Sequence, residues 1–212
     1  MKRLEWVGSA LDDLREFPQE ARNEAGHQLH RVQCAKEPSD WKPMNAIGSG
    51  VRELRIHTNR EHRVFYVVRF DDAVYVLSAF EKKSQKTKVR TRTWSNEIPI
   101  GHCAAPQPQG ETMSDKIRRS SGNVFRDLGA SDAEAENLRA RSLMMIQLVS
   151  IIRRQGWTQT QAAKVLAVTQ PRVSDLMCGK IDRFSVDSLI ELFGRCGMTI
   201  AFSARRRTKR VA

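Results

Sequence analysis

Cysteine is sparse and scattered in this chain. The four residues, Cys34, Cys103, Cys178 and Cys196, form no Cys-x-x-Cys pair and have no histidine cluster beside them. That argues against a zinc site and against a disulfide framework. No apolar run approaches membrane-spanning length, and the N-terminus lacks a signal-peptide core. Acidic residues are outnumbered, 24 Asp+Glu against 36 Lys+Arg, giving a formal net charge of +12. These absences point to a reduced, soluble, cytoplasmic protein with no membrane partner, whose basic excess favours a polyanion such as nucleic acid. No metal and no cofactor is called for. The length of 212 residues suits two small domains.

What is present is organised around Trp157 to Gly179, which reads as two short helices joined by a tight turn. Thr158 caps the first, with Gln161 completing a capping box. Ala162 and Ala163 allow a close helix crossing, and Val165 and Leu166 supply core. Thr169 caps the second helix, where Pro171 is tolerated in the first turn and Gly179 closes the end. Val173, Leu176 and Met177 form a buried stripe, which leaves Gln170, Arg172, Ser174 and Asp175 facing outward. Gln pairs with adenine, Arg with guanine and Ser with either, so the second helix has the chemistry of a major-groove reader. Gln159, Thr169, Gln170, Arg172, Ser174, Asp175 and Lys180 are the candidate DNA-binding residues. The run Gln159-x-x-Ala162-Ala163…Gln170-Pro171-Arg172-Val173-Ser174-Asp175-Leu176…Gly179 resembles the XRE/Cro-like repressors, specifically the HigA-like antitoxin group. One departure is Ala167, where such proteins usually carry Gly. If that turn needs a left-handed residue, Ala costs on the order of 1 kcal/mol.

The first hundred residues read as α+β. Leu4 to Val7 is a strand candidate, and residues 9–34 are helical with a break at Pro18. Pro38 to Gly50 reads as loop. From Val51 the period changes from 3.6 to 2, giving strands Val51–His57, Arg63–Phe70 and Ala73–Phe80, with Asp71-Asp72 as the hairpin turn. Three antiparallel strands behind two helices are expected. Leu4-Glu5-Trp6-Val7-Gly8-Ser9, Gly48-Ser49-Gly50-Val51-Arg52-Glu53-Leu54-Arg55, Arg63-Val64-Phe65-Tyr66 and Val74 to Ser84 resemble the phage-related, HigB-like branch of the RelE toxins. That resemblance implies a metal-independent endoribonuclease that cleaves mRNA on the ribosome. Within the matched motifs Arg55, Arg63, Tyr66, Lys82 and Lys83 are the candidate catalytic residues. Arg55 and Arg63 sit on neighbouring strands and could clamp a phosphate, and the lysines could supply charge or a proton. Tyr66 lies on the alternation opposite Arg63, so a core role suits it as well. His57 and His62 flank the hairpin, as general acid–base groups or as solvated loop residues.

Residues 96–116 are linker by composition, and Met113-Ser114-Asp115-Lys116 has the look of a protein start, as if two genes or two engineered pieces had been joined. Beyond it, Asn123 to Gly129 resembles the start of HigA-like antitoxins. A helix capped by Ser131 or Asp132 runs to about Gln155, a further helix spans Val186 to Cys196, and Met198–Ser203 alternates as a short strand. The domains are thus 1–95 toxin, 96–116 linker, 117–204 antitoxin and 205–212 basic tail. The fold class expected is an α+β RelE-like domain followed by an all-α helix-turn-helix domain with a short C-terminal strand.

The resemblances imply a single-chain toxin–antitoxin, a homodimer on operator DNA whose second half silences the first and represses its own operon. A transcriptional regulator with an inactive toxin-like domain, or a laboratory fusion, is the alternative. Contact between the halves is expected through Asn123 to Ile152, packed on the toxin sheet so as to shield Arg55, Arg63 and Lys82.

Overall fold

The computed structural model describes residues 1–69, 73–82, 117–201 and 203. The first half runs β1 (Arg3–Trp6), α1 (Ala10–Arg15), α2 (Gln19–Gln33), β2 (Trp41–Pro43), β3 (Val51–His57), β4 (Glu61–Arg69) and β5 (Ala73–Glu81). From residue 117 on come β6 (Arg118–Arg119), α3 (Val124–Asp127), α4 (Asp132–Arg154), α5 (Gln159–Val165), α6 (Gln170–Cys178), a 3-10 turn at Ile181–Arg183 and α7 (Val186–Arg195). The whole is mixed α+β, with the sheet N-terminal and helices C-terminal.

The three long strands follow the alternation of the sequence. Leu54, Ile56, Val64 and Tyr66 turn one face toward the helices, while Glu53, Arg55, Arg63 and Phe65 share the opposite face. A bulge in β5 sets Phe65 against Ser78 and Tyr66 against Val76, so Leu77 is the extra residue and joins a small apolar cluster on that second face. The sheet has six strands rather than three, in the order β2-β3-β4-β5-β1-β6. Strand β1 lies parallel to β5, with Leu4 and Trp6 in the core. Strand β2 comes from the stretch expected to be loop, and β6 comes from the C-terminal half to pair Arg118 with Trp6 and Arg119 with Glu5. Met198–Ser203 is expected as a strand, but its described residues, 198–201 and 203, are in none. The turn expected at Asp71-Asp72, the linker expected at residues 96–116 and the basic tail expected at 205–212 lie outside the described residues.

Helix α2 decides how the halves meet. Twelve of its fifteen residues are buried, although they include Asn23, Glu24, His27, Gln28, His30, Arg31 and Gln33. Its apolar stripe, Ala21, Ala25, Leu29 and Val32, belongs to one hydrophobic core that continues through Phe125 and Leu128 into α4 and the helix-turn-helix. Its polar stripe is covered by the C-terminal half. Gly26 lets α3 approach, since a Cβ there would lie 2.9 Å from Phe125 Cε1. Asn23 donates to Asp182 (2.9 Å) and Gln28 to the Cys178 carbonyl (2.9 Å). At the sheet edge Trp6 Nε1 donates to Asp127 (3.3 Å) and Arg15 to the Asp127 carbonyl (2.8 Å). The segment Asn123 to Ile152 therefore docks on the helix layer, not on the sheet face that carries Arg55 and Arg63. The reason is that α2 offers the polar and apolar surface that α3 and α4 match.

At the centre of this interface the Ser142 hydroxyl lies 2.8 Å from His27 Nδ1 and 2.7 Å from His30 Nδ1. One hydroxyl proton serves only one of these nitrogens, so the rings must be opposite tautomers. His30 Nε2 has no partner among the described residues. A bare acceptor costs less there than a stranded N–H, which makes His30 the donor to Ser142 and His27 the acceptor. Burial holds both imidazoles below their usual pKa, helped at His27 by Arg31 and His30; His30, with Arg139 nearby, falls to about 4. Both are neutral in the docked protein.

Two outcomes are expected. A folded-state pKa below the unfolded value means that stability is full above about pH 6.5 and is lost as pH falls toward 4. Buried Glu24, pushed up to about 7 by burial, acts in the opposite sense, so the histidine contribution is read as a difference. The stability gap between the unaltered chain and His30→Gln, from denaturant titrations, should narrow by about 2 kcal/mol between pH 7 and pH 5; a constant gap would contradict a neutral His30. Protease cleavage within residues 96–116 should leave the halves co-eluting in gel filtration, because the core is shared.

Candidate functional site

Two surfaces carry chemistry. The first is the sheet face of Arg55 and Arg63, which are direct cross-strand partners. Neither is free. Arg63 is buried, 2.8 Å from Glu61 and 3.4 Å from Glu53, and Glu53 in turn lies 3.3 Å from Arg55. Arg55 reaches Asp40 at 3.8 Å, Asp40 lies 2.7 Å from His57 Nε2, and His57 Nδ1 lies 2.8 Å from Glu61. The six side chains close a ring of alternating sign: Asp40, His57, Glu61, Arg63, Glu53, Arg55. Both nitrogens of His57 face carboxylate oxygens, so both donate and the ring is an imidazolium. Partial burial alone would lower the His57 pKa, but the hydrogen bonds to Asp40 and Glu61 outweigh it and raise it. The His57 hydrogen bond, with Arg63 adding to it, holds Glu61 below the usual carboxylate range.

The other residues expected at this site are placed differently. Tyr66 is buried on the helix-facing side, its hydroxyl raised in pKa by burial against the lowering effect of Arg52. His62 is on that side too, packed 4.5 Å from the Phe17 ring, with its pKa lowered by burial. Lys82 is half-exposed and its backbone N–H donates to the Glu61 carbonyl at 2.7 Å. Lys83 lies outside the described residues. Among the described residues no group of three or more His, Cys, Asp and Glu is arranged to hold a metal ion, and no helix is long and apolar enough to cross a membrane.

The second surface is the helical hairpin. Thr158 Oγ1 accepts from the Gln161 N–H (3.2 Å) while the Thr158 N–H donates to Gln161 Oε1 (2.9 Å), so the capping box is complete. Ala162 and Ala163 are buried under α6. The turn places Ala167 at φ 49°, the left-handed conformation its position demands. Arg195 braces that turn by donating to the carbonyls of Leu166 (2.8 Å) and Ala167 (3.1 Å). At the start of α6, Thr169, Gln170 and Pro171 are exposed, and Thr169 caps through its backbone without a side-chain bond. Gln170 donates to Gln159 (2.9 Å), joining the N-termini of both helices in one polar face. Arg172 stacks 4.2 Å above the Phe184 ring, Asp175 pairs with Arg183 (3.2 Å), and Ser174 is half-exposed.

The far end of α6 is occupied. Lys180, expected among the DNA readers, instead pairs with Glu24 (3.3 Å) and donates to the His57 carbonyl. Gly179 closes α6 at φ 84°, and a Cβ there would fall 2.8 Å from His27 Cδ2 and still closer to Gln28. Ser39 and Gln28 both donate to the Cys178 carbonyl (2.8 and 2.9 Å), so side chains of the first half satisfy the end of α6.

Comparison with known families matches the two halves of the chain separately. Residues 12–94 match the family model of Phage derived protein Gp49-like, a toxin-like family, and residues 124–205 match the model of a Helix-turn-helix domain. The chain joins a toxin-like domain to a helix-turn-helix domain. No curated protein matches it.

Sequence reasoning missed the partners rather than the bases. Asp40, Glu53 and Glu61 of the toxin-like half gave no signal as individual acids, although Glu53 at i−2 from Arg55 and Glu61 at i−2 from Arg63 share their strand faces. Arg195 gave none, because it reaches the turn from another helix. Replacing Ala167 by Gly should relieve the left-handed strain and raise stability by about 1 kcal/mol. Arg195→Ala should lower it by about 1–2 kcal/mol through the two freed carbonyls. Thermal and urea melts of the two variants check both signs.

Proposed function

We propose that the chain is a DNA-binding regulator of the single-chain toxin–antitoxin type. Its XRE/Cro-type, HigA-like half would read an operator and repress its own operon as a homodimer, with the HigB-like half carried docked behind it. The domain limits 1–95 and 117–204, with the linker and basic tail around them, fit this division of labour. The observation that carries the proposal is which end of α6 is free. Its N-terminal turn and the N-terminus of α5 present Gln159, Thr169 and Gln170 outward as one face, while its C-terminal end is held by the toxin-like half. Recognition helices of this kind read bases with their N-terminal residues, and one helix covers too few base pairs to define a site alone.

A second reading, mRNA cleavage by the toxin-like half, is favoured by the cross-strand pair Arg55 and Arg63 on a domain of toxin-like family. In that reading Arg55 and Lys82 would meet phosphate and His57 would exchange the proton. The closed ring of charges weighs for the regulator with a quiet toxin-like half.

The test uses the full chain on duplexes selected from a random library. Salt-sensitive binding to a palindromic site by a dimer is expected. Gln170→Ala should weaken the selected site by about 1–3 kcal/mol and relax preference at one base position. Arg172→Ala should cost a similar amount, and equal loss on random DNA would reassign Arg172 to phosphate. Failure to enrich any sequence would sink the operator reading.

A further inference from the structure

Asp40 stands out in the ring because it is the only acid that is both half-exposed and held by two exposed cations. Its Oδ2 lies 2.7 Å from His57 Nε2 and its Oδ1 lies 3.8 Å from Arg55 Nη1. The side chains are 39% (Asp40), 32% (Arg55) and 48% (His57) exposed, whereas Glu53 and Arg63 form a floor at 5% and 6%. The carboxylate is built into place: the Asp40 carbonyl accepts the Arg55 N–H at 3.1 Å, which extends the β2–β3 ladder by one rung. An anion with two oxygens between a guanidinium and an imidazolium is the arrangement in which proteins hold a phosphate.

We infer that Asp40 occupies a phosphate site for single-stranded RNA between Arg55 and His57 and keeps it closed from within the toxin-like half. The inference rests on the reading that this sheet face meets RNA. Single strands are favoured over duplex because Phe80, half-exposed and the cross-strand partner of Arg63, packs tilted against Phe65 at 5.4 Å on the same face, which gives a base an aromatic surface to lie on. The remaining members of the ring cannot play this part. Glu53 is buried, and Glu61 also binds buried Arg63, so moving either one strands a buried charge. Asp40 can leave for solvent, and a phosphate can take over its hydrogen bond with His57 and its ion pair with Arg55. Silence of the toxin-like half then needs no cover from the helix-turn-helix half, in keeping with α3 and α4 docking on the opposite side of the sheet.

The experiment compares full-length variants for binding of a fluorescent single-stranded RNA oligomer at low salt, by anisotropy. Asp40→Asn should tighten binding by about tenfold or more, and Asp40→Asn/Arg55→Ala should abolish that gain. Asp187→Asn, an exposed acid on α7 with the same change in charge, should leave affinity where it was. Melts of each variant confirm folding. Independently, titrating inorganic phosphate should move the His57 imidazole resonances in Asp40→Asn at concentrations that leave those of the unaltered chain in place. Absence of any gain, a gain equal to that of Asp187→Asn, or persistence of the gain without Arg55 overturns the inference. Tight RNA binding by the unaltered chain that is lost with Arg55→Ala upholds the RNA face but overturns closure by Asp40. A phosphate response in Asp40→Asn with a gain for duplex DNA alone keeps the closed anion site and overturns its assignment to RNA.

Discussion

The structure depends on burying the polar side of α2. In an isolated toxin-like domain, Asn23, His27, His30 and Arg31 would face water; here they are buried at 8% exposure or less. Burying such groups is unfavourable unless each finds a partner or gives up its charge. Both solutions occur. Asn23 and Gln28 find acceptors in the C-terminal half, Glu24 finds Lys180, and the two histidines stay neutral around Ser142. Arg31 is the exception, its guanidinium held down to about 10 by burial and then by Arg153, with Nη1 unpartnered among the described residues. Removing one member strands its partner in a place that water does not reach, so this interface is cooperative.

That single contact surface fixes the relation between the two candidate sites. Because docking is through the helix layer, the helix-turn-helix half leaves the sheet face alone and grips the toxin-like half from behind. Among the described residues, Lys180 reaches around toward the charged ring and donates to the His57 carbonyl from the end of α6. The ring and α6 are thus joined by a chain of contacts, from Arg55 through Asp40 and His57 to Lys180. Steric masking of Arg55 and Arg63 by α4 is replaced by neutralisation from acids of their own domain. The three carboxylates offset the three cations, and the pairs on the floor are dry enough that neither partner can be withdrawn cheaply.

How much of this was legible in the sequence depended on whether the signal was local. Caps and turns are local: Thr158 with Gln161, Gly179 after Cys178, and the left-handed demand on Ala167 all follow from a few neighbouring residues. The long strands were legible because alternation repeats, and the opposition of Tyr66 to Arg63 followed from the same period. Strands β2 and β6 were not legible, since three and two residues cannot display a period. Lys180 was misplaced for a related reason. Its position next to a recognition helix suggests DNA, but its direction is set by Glu24, which is 156 positions away and was unremarkable on α2. The ring was half legible: its bases were found by type and motif, while its acids acquire meaning only from register.

The junction at Gly179 links fold to function most tightly. A left-handed residue there ends α6, and the absence of a side chain lets α2 come against it, so two independent requirements fall on one position. The carbonyl of Cys178, which a helix end would normally leave to water, is taken by Gln28 and Ser39 of the toxin-like half. A helix held at its C-terminal end by another domain cannot tilt or slide without breaking those bonds, and base readout demands placement of the N-terminal end to a fraction of an ångström. The toxin-like half therefore fixes α6 from behind, through Gln28 and Ser39 at its C-terminal carbonyl. It follows physically that anything that loosens α2, including protonation of His27 or His30, also loosens the anchoring of α6 at its C-terminal end.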